Sequence, residues 1–243
     1  MELAGSVALV TGGNRGLGRA FVEALLAAGA AKVYAGMRTP VPGGDGRVVP
    51  VRLDVTSSAD IAAAVAACPD VSVLVNNAGI LLQGAALDEG MDEALRRTME
   101  VNVIGPMNMA RAFAPVLARN GGGAVVNMLS VVSWFTNPFT ATYCASKHAA
   151  LSVSDAMRSQ LAGQGTRVVA VYAGFIDTDM TAGVTQPKVS AREVAERTME
   201  GIRDEQSHVL ADKRAEEVWR DMHANPGHME AEMQRNWDGS GRG

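Results

Sequence analysis

The stretch that most constrains this chain is Thr11-Gly12-Gly13-Asn14-Arg15-Gly16-Leu17-Gly18, which directly follows the apolar run Val7-Ala8-Leu9-Val10. Glycines there permit positive φ and a tight reversal that larger residues resist. A helical pattern begins at once. Ala20, Phe21, Ala24, Leu25 and Ala28 recur at three- and four-residue spacing, and Gly29 can end the helix. Lys32–Ala35 then starts a second apolar run. A short apolar strand that feeds a helix and returns to another such strand is a βαβ unit, with parallel strands buried on both faces.

The pattern continues along the chain. Further strand candidates are Val48–Leu53, Val71–Val75, Ala124–Met128 and Arg167–Tyr172, with a weaker one at Ser207–Leu210. Helical patterns fall near 57–67, 91–118, 142–163 and 190–203. This alternation predicts an α/β fold, a doubly wound parallel sheet of the Rossmann type with helices on both faces. The 243 residues, 47% of them apolar, suit one such domain. It is expected over residues 1–210, with a helical tail at 211–243 packed on the same domain or on a partner subunit. One crossover departs from the pattern. From Arg38 to Val48 the chain reads RTPVPGGDGRV, too rich in proline and glycine for a helix, so a loop is expected there.

A glycine turn between a first strand and a first helix lets the backbone approach a diphosphate closely. The free N–H groups and dipole of the helix start favour that anion. The residues expected to form this cofactor site are Gly12, Asn14, Arg15, Gly16, Leu17 and Gly18. About 20 residues further on, sites for NAD place an acid that accepts from the ribose 2′-hydroxyl. Here the stretch is Tyr34-Ala35-Gly36-Met37-Arg38, without an acid. Arg38 can clamp a 2′-phosphate and Arg15 can reach the same group, unless both are solvated surface charges. NADP(H) is therefore expected over NAD(H).

Composition narrows the alternatives. A net charge of −4 with no basic stretch argues against nucleic-acid binding. Cys68 and Cys144 are too few for a disulfide framework and suit buried thiols in a reducing compartment. The N-terminal MELAGSVALVTGG lacks the basic start and apolar length of a signal peptide. Its apolar run also falls short of the roughly 18 residues of a spanning helix. A cytoplasmic location off the membrane is expected. His148, His208, His223 and His228 form no convincing ligand set, so no metal is expected.

The motifs together resemble the short-chain dehydrogenase/reductase family. TGGNRGLG matches its TGxxxGxG turn, Asn76-Asn77-Ala78-Gly79 its NNAG motif, and Tyr143-Cys144-Ala145-Ser146-Lys147 its YxxxK. Ser130 lies 13 positions before the tyrosine, and Asn102 opens an Asn-Val-Ile-Gly stretch. The resemblance runs from about residue 5 to about 210. It implies that Tyr143 is the general acid/base, with Lys147 lowering its pKa and holding the nicotinamide ribose. Ser130 would orient the substrate oxygen, and Asn102 would hold a water on the proton path. It further implies Asp54 and Val55 at the adenine and Asn76 near the adenosine ribose, with Ala78 and Gly79 letting the backbone pass close to the cofactor. Gly174, Ile176 and Thr178 would lie at the nicotinamide carboxamide. The residues alone add support. Four apart on a helix, Tyr143 and Lys147 share a face, and a nearby ammonium favours the phenolate. Asp54 can otherwise cap the following helix, and Asn102 can be a packing polar group.

Three features depart from the family pattern. Its Pro-Gly after the sixth strand is Ala173-Gly174 here, and the loop after Arg38 replaces a helix. The C-terminus carries no glycine-rich strand. It reads as a helix, a turn at Asn225-Pro226-Gly227 and a second helix. Trp219, Met222, Met229, Met233 and Trp237 form an apolar stripe that fits core or a subunit contact, or a cover over the substrate. A homo-oligomer is expected, a dimer at least as readily as a tetramer. Trp134, Phe135 and Phe139, between Ser130 and Tyr143, suggest an apolar pocket wall, unless some of them anchor the loop. The segment from Thr178 to Ser190 is short for a lid. The expected activity is hydride transfer between NADP(H) and a hydrophobic ketone, aldehyde or secondary alcohol. A non-catalytic NADP(H)-binding redox sensor is the second reading, and it has no need of Ser130, Tyr143 and Lys147 together.

Overall fold

A computed structural model describes residues 1–41, 44–225 and 227–241. In chain order the elements begin with β1 (Val7–Thr11), α1 (Gly16–Ala27), β2 (Lys32–Met37), β3 (Val48–Arg52), α2 (Ser58–Ala67) and β4 (Val73–Asn76). Next come α3 (Met91–Met99), a π-helical turn at Glu100–Ile104, α4 (Gly105–Arg119), β5 (Gly123–Met128), α5 (Ala141–Leu161) and β6 (Thr166–Tyr172). The chain closes with β7 (Ile176–Asp177), β8 (Val189–Ser190), α6 (Ala191–Arg203), β9 (His208–Leu210), α7 (Lys213–Ala224) and α8 (Gly227–Asp238).

Seven strands form one parallel sheet in the order β3-β2-β1-β4-β5-β6-β9, the doubly wound Rossmann arrangement expected from the alternation. Successive strands spread outward from β1 in one direction, then from β4 in the other. A crevice therefore opens at the carboxyl ends of β1 and β4, where such sheets bind ligands. One sheet face packs against α1 and α6, burying Phe21, Leu25, Met199 and Ile202. The other buries Met109, Phe113 and Leu117 of α4 with Met157 of α5.

No helix lies between β2 and β3 among the described residues; Pro42 and Gly43 fall outside them. The edge strand β3 is the least covered, and Val49 is 36% exposed. Pro50, which lacks a donor, is tolerated there because an edge strand has one side unpaired. The helix expected near 91–118 is interrupted, because residues 100–104 widen into a π turn. The tail forms two helices; Pro226 of the expected turn lies outside the described residues. No described helix is long and apolar enough to cross a membrane.

Candidate active site

The glycine turn lies at the carboxyl end of β1. Gly12 and Gly16 have φ of +69° and +51°, values open to glycine and unfavourable for other residues. A Cβ on Gly18 would run into the Gly12 carbonyl oxygen, so the turn closes only with glycine there. The start of α1 has no side-chain cap and no acid in its first turn, so its N–H groups remain available to an anion. That cradle fits a dinucleotide diphosphate. Gly18→Ala is expected to force the turn open and weaken dinucleotide binding at least tenfold, measured by calorimetric titration.

Two residues that sequence reasoning passed over hold this crevice together. The Thr11 hydroxyl accepts from the backbone N–H groups of Asn77 and Ala78, both at 3.0 Å, and donates to the Val75 carbonyl. The Asn77 amide donates to the Thr11 carbonyl at 2.9 Å. The signal was present as a Thr before the glycine turn and a second Asn in NNAG. The Asn76 side chain instead points into the interior, donating to Asn127 Oδ1 at 2.9 Å. Asn76 Oδ1 is the buried side-chain acceptor left without a partner among the described residues. It borders a narrow cleft also lined by Asn102, Asn127 and Lys147.

Arg38 is exposed just past β2 and lies near enough to Asp54 for its charge to act on it. Hydrogen bonds from the Thr56 hydroxyl and N–H hold the Asp54 carboxyl below the usual carboxylate range, and Arg38 adds to this. The cap of α2 is Ser57, which accepts from the Asp60 N–H; Asp54 therefore closes a turn and leaves the capping to Ser57. Val55 is buried, packed on Gly105, so only its backbone can face the crevice. Arg15 is paired with Asp179 at 2.7 Å across exposed surface.

Ser130, Tyr143 and Lys147 converge at the carboxyl end of β5. Ser130 directly precedes a 3₁₀ turn, Val131–Ser133, which it caps reciprocally with Ser133. Its hydroxyl bonds to the Tyr143 phenol and lies 3.4 Å from the Ala173 carbonyl. Burial pushes the phenol up to about 12, and the Ser130 hydrogen bond partly counters this. One turn along α5, Lys147 is 6% exposed and donates to the Met128 carbonyl at 2.7 Å. Burial lowers its ammonium to about 8. The ammonium sits 5.5 Å from the centre of the Tyr143 ring. The upward shift of the phenol comes from its burial, with the Ser130 hydroxyl opposing it.

Asn102 occupies the π turn, 3% exposed. Its side chain clamps the backbone of Ile80, accepting from the N–H at 2.8 Å and donating to the carbonyl at 2.9 Å. It also donates to Ser146 Oγ, between Tyr143 and Lys147 on α5. The amide is thus engaged in tying three segments together. Pro106, four residues on, has no N–H to offer the Asn102 backbone carbonyl. Gly79 approaches the same amide; a Cβ there would lie 3.3 Å from Asn102 Oδ1.

After β6 the chain turns at Ala173-Gly174, where the Gly174 N–H donates to Asp212, the cap of α7. Thr178 caps a 3₁₀ turn at Asp179–Thr181, and β7 pairs with β8, so the segment is tied down along its length. Ile176 is packed against the core, and Thr178 lies against Gly16 across the crevice. In the loop after Ser130, Trp134 stacks on Tyr172 at 4.2 Å and meets Trp219 of α7 at 5.0 Å. Trp134 is thus a loop anchor. Phe135 is partly buried in the same cluster, while Phe139 faces Trp237 of α8 at 5.4 Å. Among the described residues no group of three or more His, Cys, Asp or Glu could hold a metal ion.

Comparison with known proteins agrees with this layout. The short chain dehydrogenase family model matches residues 6–189. A short chain dehydrogenase from Burkholderia cenocepacia, solved in complex with NADP, superposes with a TM-score of 0.91 at 38% identity, covering 96% of this chain and 99% of that one. One from Burkholderia phymatum in complex with NAD superposes with a TM-score of 0.81 at 26% identity, covering 93% and 95%. A 2,5-dichloro-2,5-cyclohexadiene-1,4-diol dehydrogenase from Sphingobium indicum is 33% identical over 195 residues, 75% of this chain and 78% of its own. Coverage of the relatives varies, and the chain spans only 44% of one from Aspergillus terreus. The matched family, the sheet order and the Ser130–Tyr143–Lys147 cluster agree: the chain belongs to the short-chain dehydrogenase/reductase family of oxidoreductases.

Proposed function

We propose that this chain is an NADP(H)-dependent oxidoreductase acting on a ketone, aldehyde or secondary alcohol of hydrophobic character. The observation that carries the reading is the convergence of Ser130, Tyr143 and Lys147 beside the crevice. When bound, the nicotinamide would supply or accept the hydride. Tyr143 gives its phenolic proton to the developing alkoxide, and Ser130 hydrogen-bonds the same oxygen and stabilises its charge. Lys147, one helical turn away, holds the ribose hydroxyls and replenishes the proton. A phenol at about 12 stands protonated at neutral pH, which favours reduction; oxidation should accelerate as pH rises.

The cradle would be formed by Gly12, Asn14, Gly16, Leu17 and Gly18, with Asp54, Val55, Ala78, Gly79, Gly174, Ile176 and Thr178 along the rest of the cofactor. Arg38 is assigned the 2′-phosphate. Arg15 contributes less, because it must first leave Asp179, although such an exposed pair costs only about 0.2–1 kcal/mol to break. A charge-assisted contact from Arg38 is worth about 1.5–3 kcal/mol. Arg38→Glu is therefore expected to raise the KM for NADPH about 10–100-fold and to improve use of NADH. The test is oxidation of NADPH and of NADH, followed at 340 nm, with a panel of hydrophobic ketones. Equal use of both cofactors by the wild type would remove Arg38 from this role. Two buried free thiols support a cytoplasmic setting. Assembly into a homo-oligomer would cover Leu95 and Met107, exposed on α3 and α4.

A further inference from the structure

We infer that α8 forms a wall of the substrate cleft in its own chain, with Trp237 the residue that selects flat apolar carbonyl compounds. This rests on the reading that places the cleft at Ser130 and Tyr143. Met229, Met233 and Trp237 stand four apart, so they share one face of α8. Glu230, Gln234, Arg235 and Asp238 are exposed. The first end of the stripe is fixed: Met229 is 1% exposed. The Arg214–Glu232 ion pair at 3.8 Å and the approach of His228 Nδ1 to the Asp221 carboxylate at 3.5 Å link α8 to α7. From there the helix carries the stripe about 12 Å, at about 1.5 Å per residue, to the ring of Phe139.

Phe139 is tied by its backbone within the loop that joins Ser130 to Tyr143. Its carbonyl accepts from the Gly84 N–H at 2.9 Å and its N–H donates to Asn137 Oδ1 at 3.0 Å. It lies four residues before Tyr143. Trp134 is engaged by Tyr172 and Trp219 and Phe135 packs in the same cluster, while Phe139 turns its ring to Trp237 of α8. The Phe139 and Trp237 rings are only partly buried and retain surface for a ligand. Rings and thioethers of this kind favour flat, ring-bearing ligands by stacking and S–aromatic contact.

The test titrates the complex with NADP⁺, in which no hydride can move to a ketone, with 2-acetonaphthone and with cyclopentanone by calorimetry. Trp237→Ala should weaken 2-acetonaphthone at least fivefold while cyclopentanone and NADPH affinities stay within twofold. Trp237→Phe should restore most of the loss. Equal losses for both ketones, no loss for either, no preference for 2-acetonaphthone in the wild type, or a parallel fall in NADPH affinity would each overturn the inference. Binding is measured without turnover. Selective binding without reduction of either ketone would therefore sink the reductase reading and leave the wall in place.

Discussion

Tyr143→Phe is expected to lower kcat and kcat/KM for ketone reduction together, by about 10²–10⁴, while NADPH binding stays within about twofold. The substitution removes one oxygen and nothing else that the fold uses. Ser130, which bonds to that oxygen, keeps Ala173 as acceptor and Val132 as donor, so no buried hydroxyl is stranded. The phenol is neutral at pH 7, so its loss removes no folded-state charge and the melting temperature should barely move. Equal effects on kcat and kcat/KM are expected because the proton moves only as hydride arrives. A loss confined to KM would instead make Tyr143 a binding group. The pH profile separates the roles further: wild-type alcohol oxidation should climb with pH toward the phenol's high pKa, and the variant's residual rate should not. Turnover within threefold of the wild type would remove Tyr143 from the chemistry.

The fold and the shared helical face of Tyr143 and Lys147 were legible because they depend on local chemistry, whereas Ser130 entered through the family resemblance. Short apolar strands, a glycine turn, and Tyr143 and Lys147 one helical turn apart all follow from spacing, and the structure holds each where spacing places it. The π turn was not legible as such. Asn102 reads as one more helical residue until Ile80 and Ser146, distant in sequence, are seen to claim its amide. Pro106 was the available clue, since a proline there deprives the Asn102 carbonyl of its helical donor. The direction of the Asn76 side chain was equally hidden. A motif names the residue, but its partner Asn127 comes from the neighbouring strand β5. The tail's apolar stripe could be recognised by its period, while its destination could not: the contact of Trp237 with Phe139 joins residues nearly a hundred apart.

Lys147→Met is expected to abolish most turnover and yet stabilise the protein. Burial lowers the ammonium from 10.5 to about 8, so the folded state resists the charge that water would accept. Between those values the unfolded chain binds more protons than the folded one, so wild-type stability from this residue rises with pH across that window. Below about pH 8 the full penalty applies. That shift corresponds to at most about 3.5 kcal/mol, at about 1.4 kcal/mol for each pH unit between the two values. The variant also loses the bond from Nζ to the Met128 carbonyl, a cost of about 1 kcal/mol that offsets part of the gain. Net stabilisation of about 1–2 kcal/mol remains, or a melting temperature higher by about 2–8 °C for a chain of this size. Calorimetric unfolding at pH 7 and again near pH 10.5 would separate the causes. The advantage of the variant should vanish at the higher pH and turn into a deficit of up to about 1 kcal/mol, because the neutral lysine of the wild type still donates to the Met128 carbonyl. A variant less stable than wild type at pH 7 would mean that the Met128 bond outweighs burial. A gain that persisted unchanged at high pH would mean that methionine packs better, with charge playing no part. The position would then carry no stability cost held in place by function.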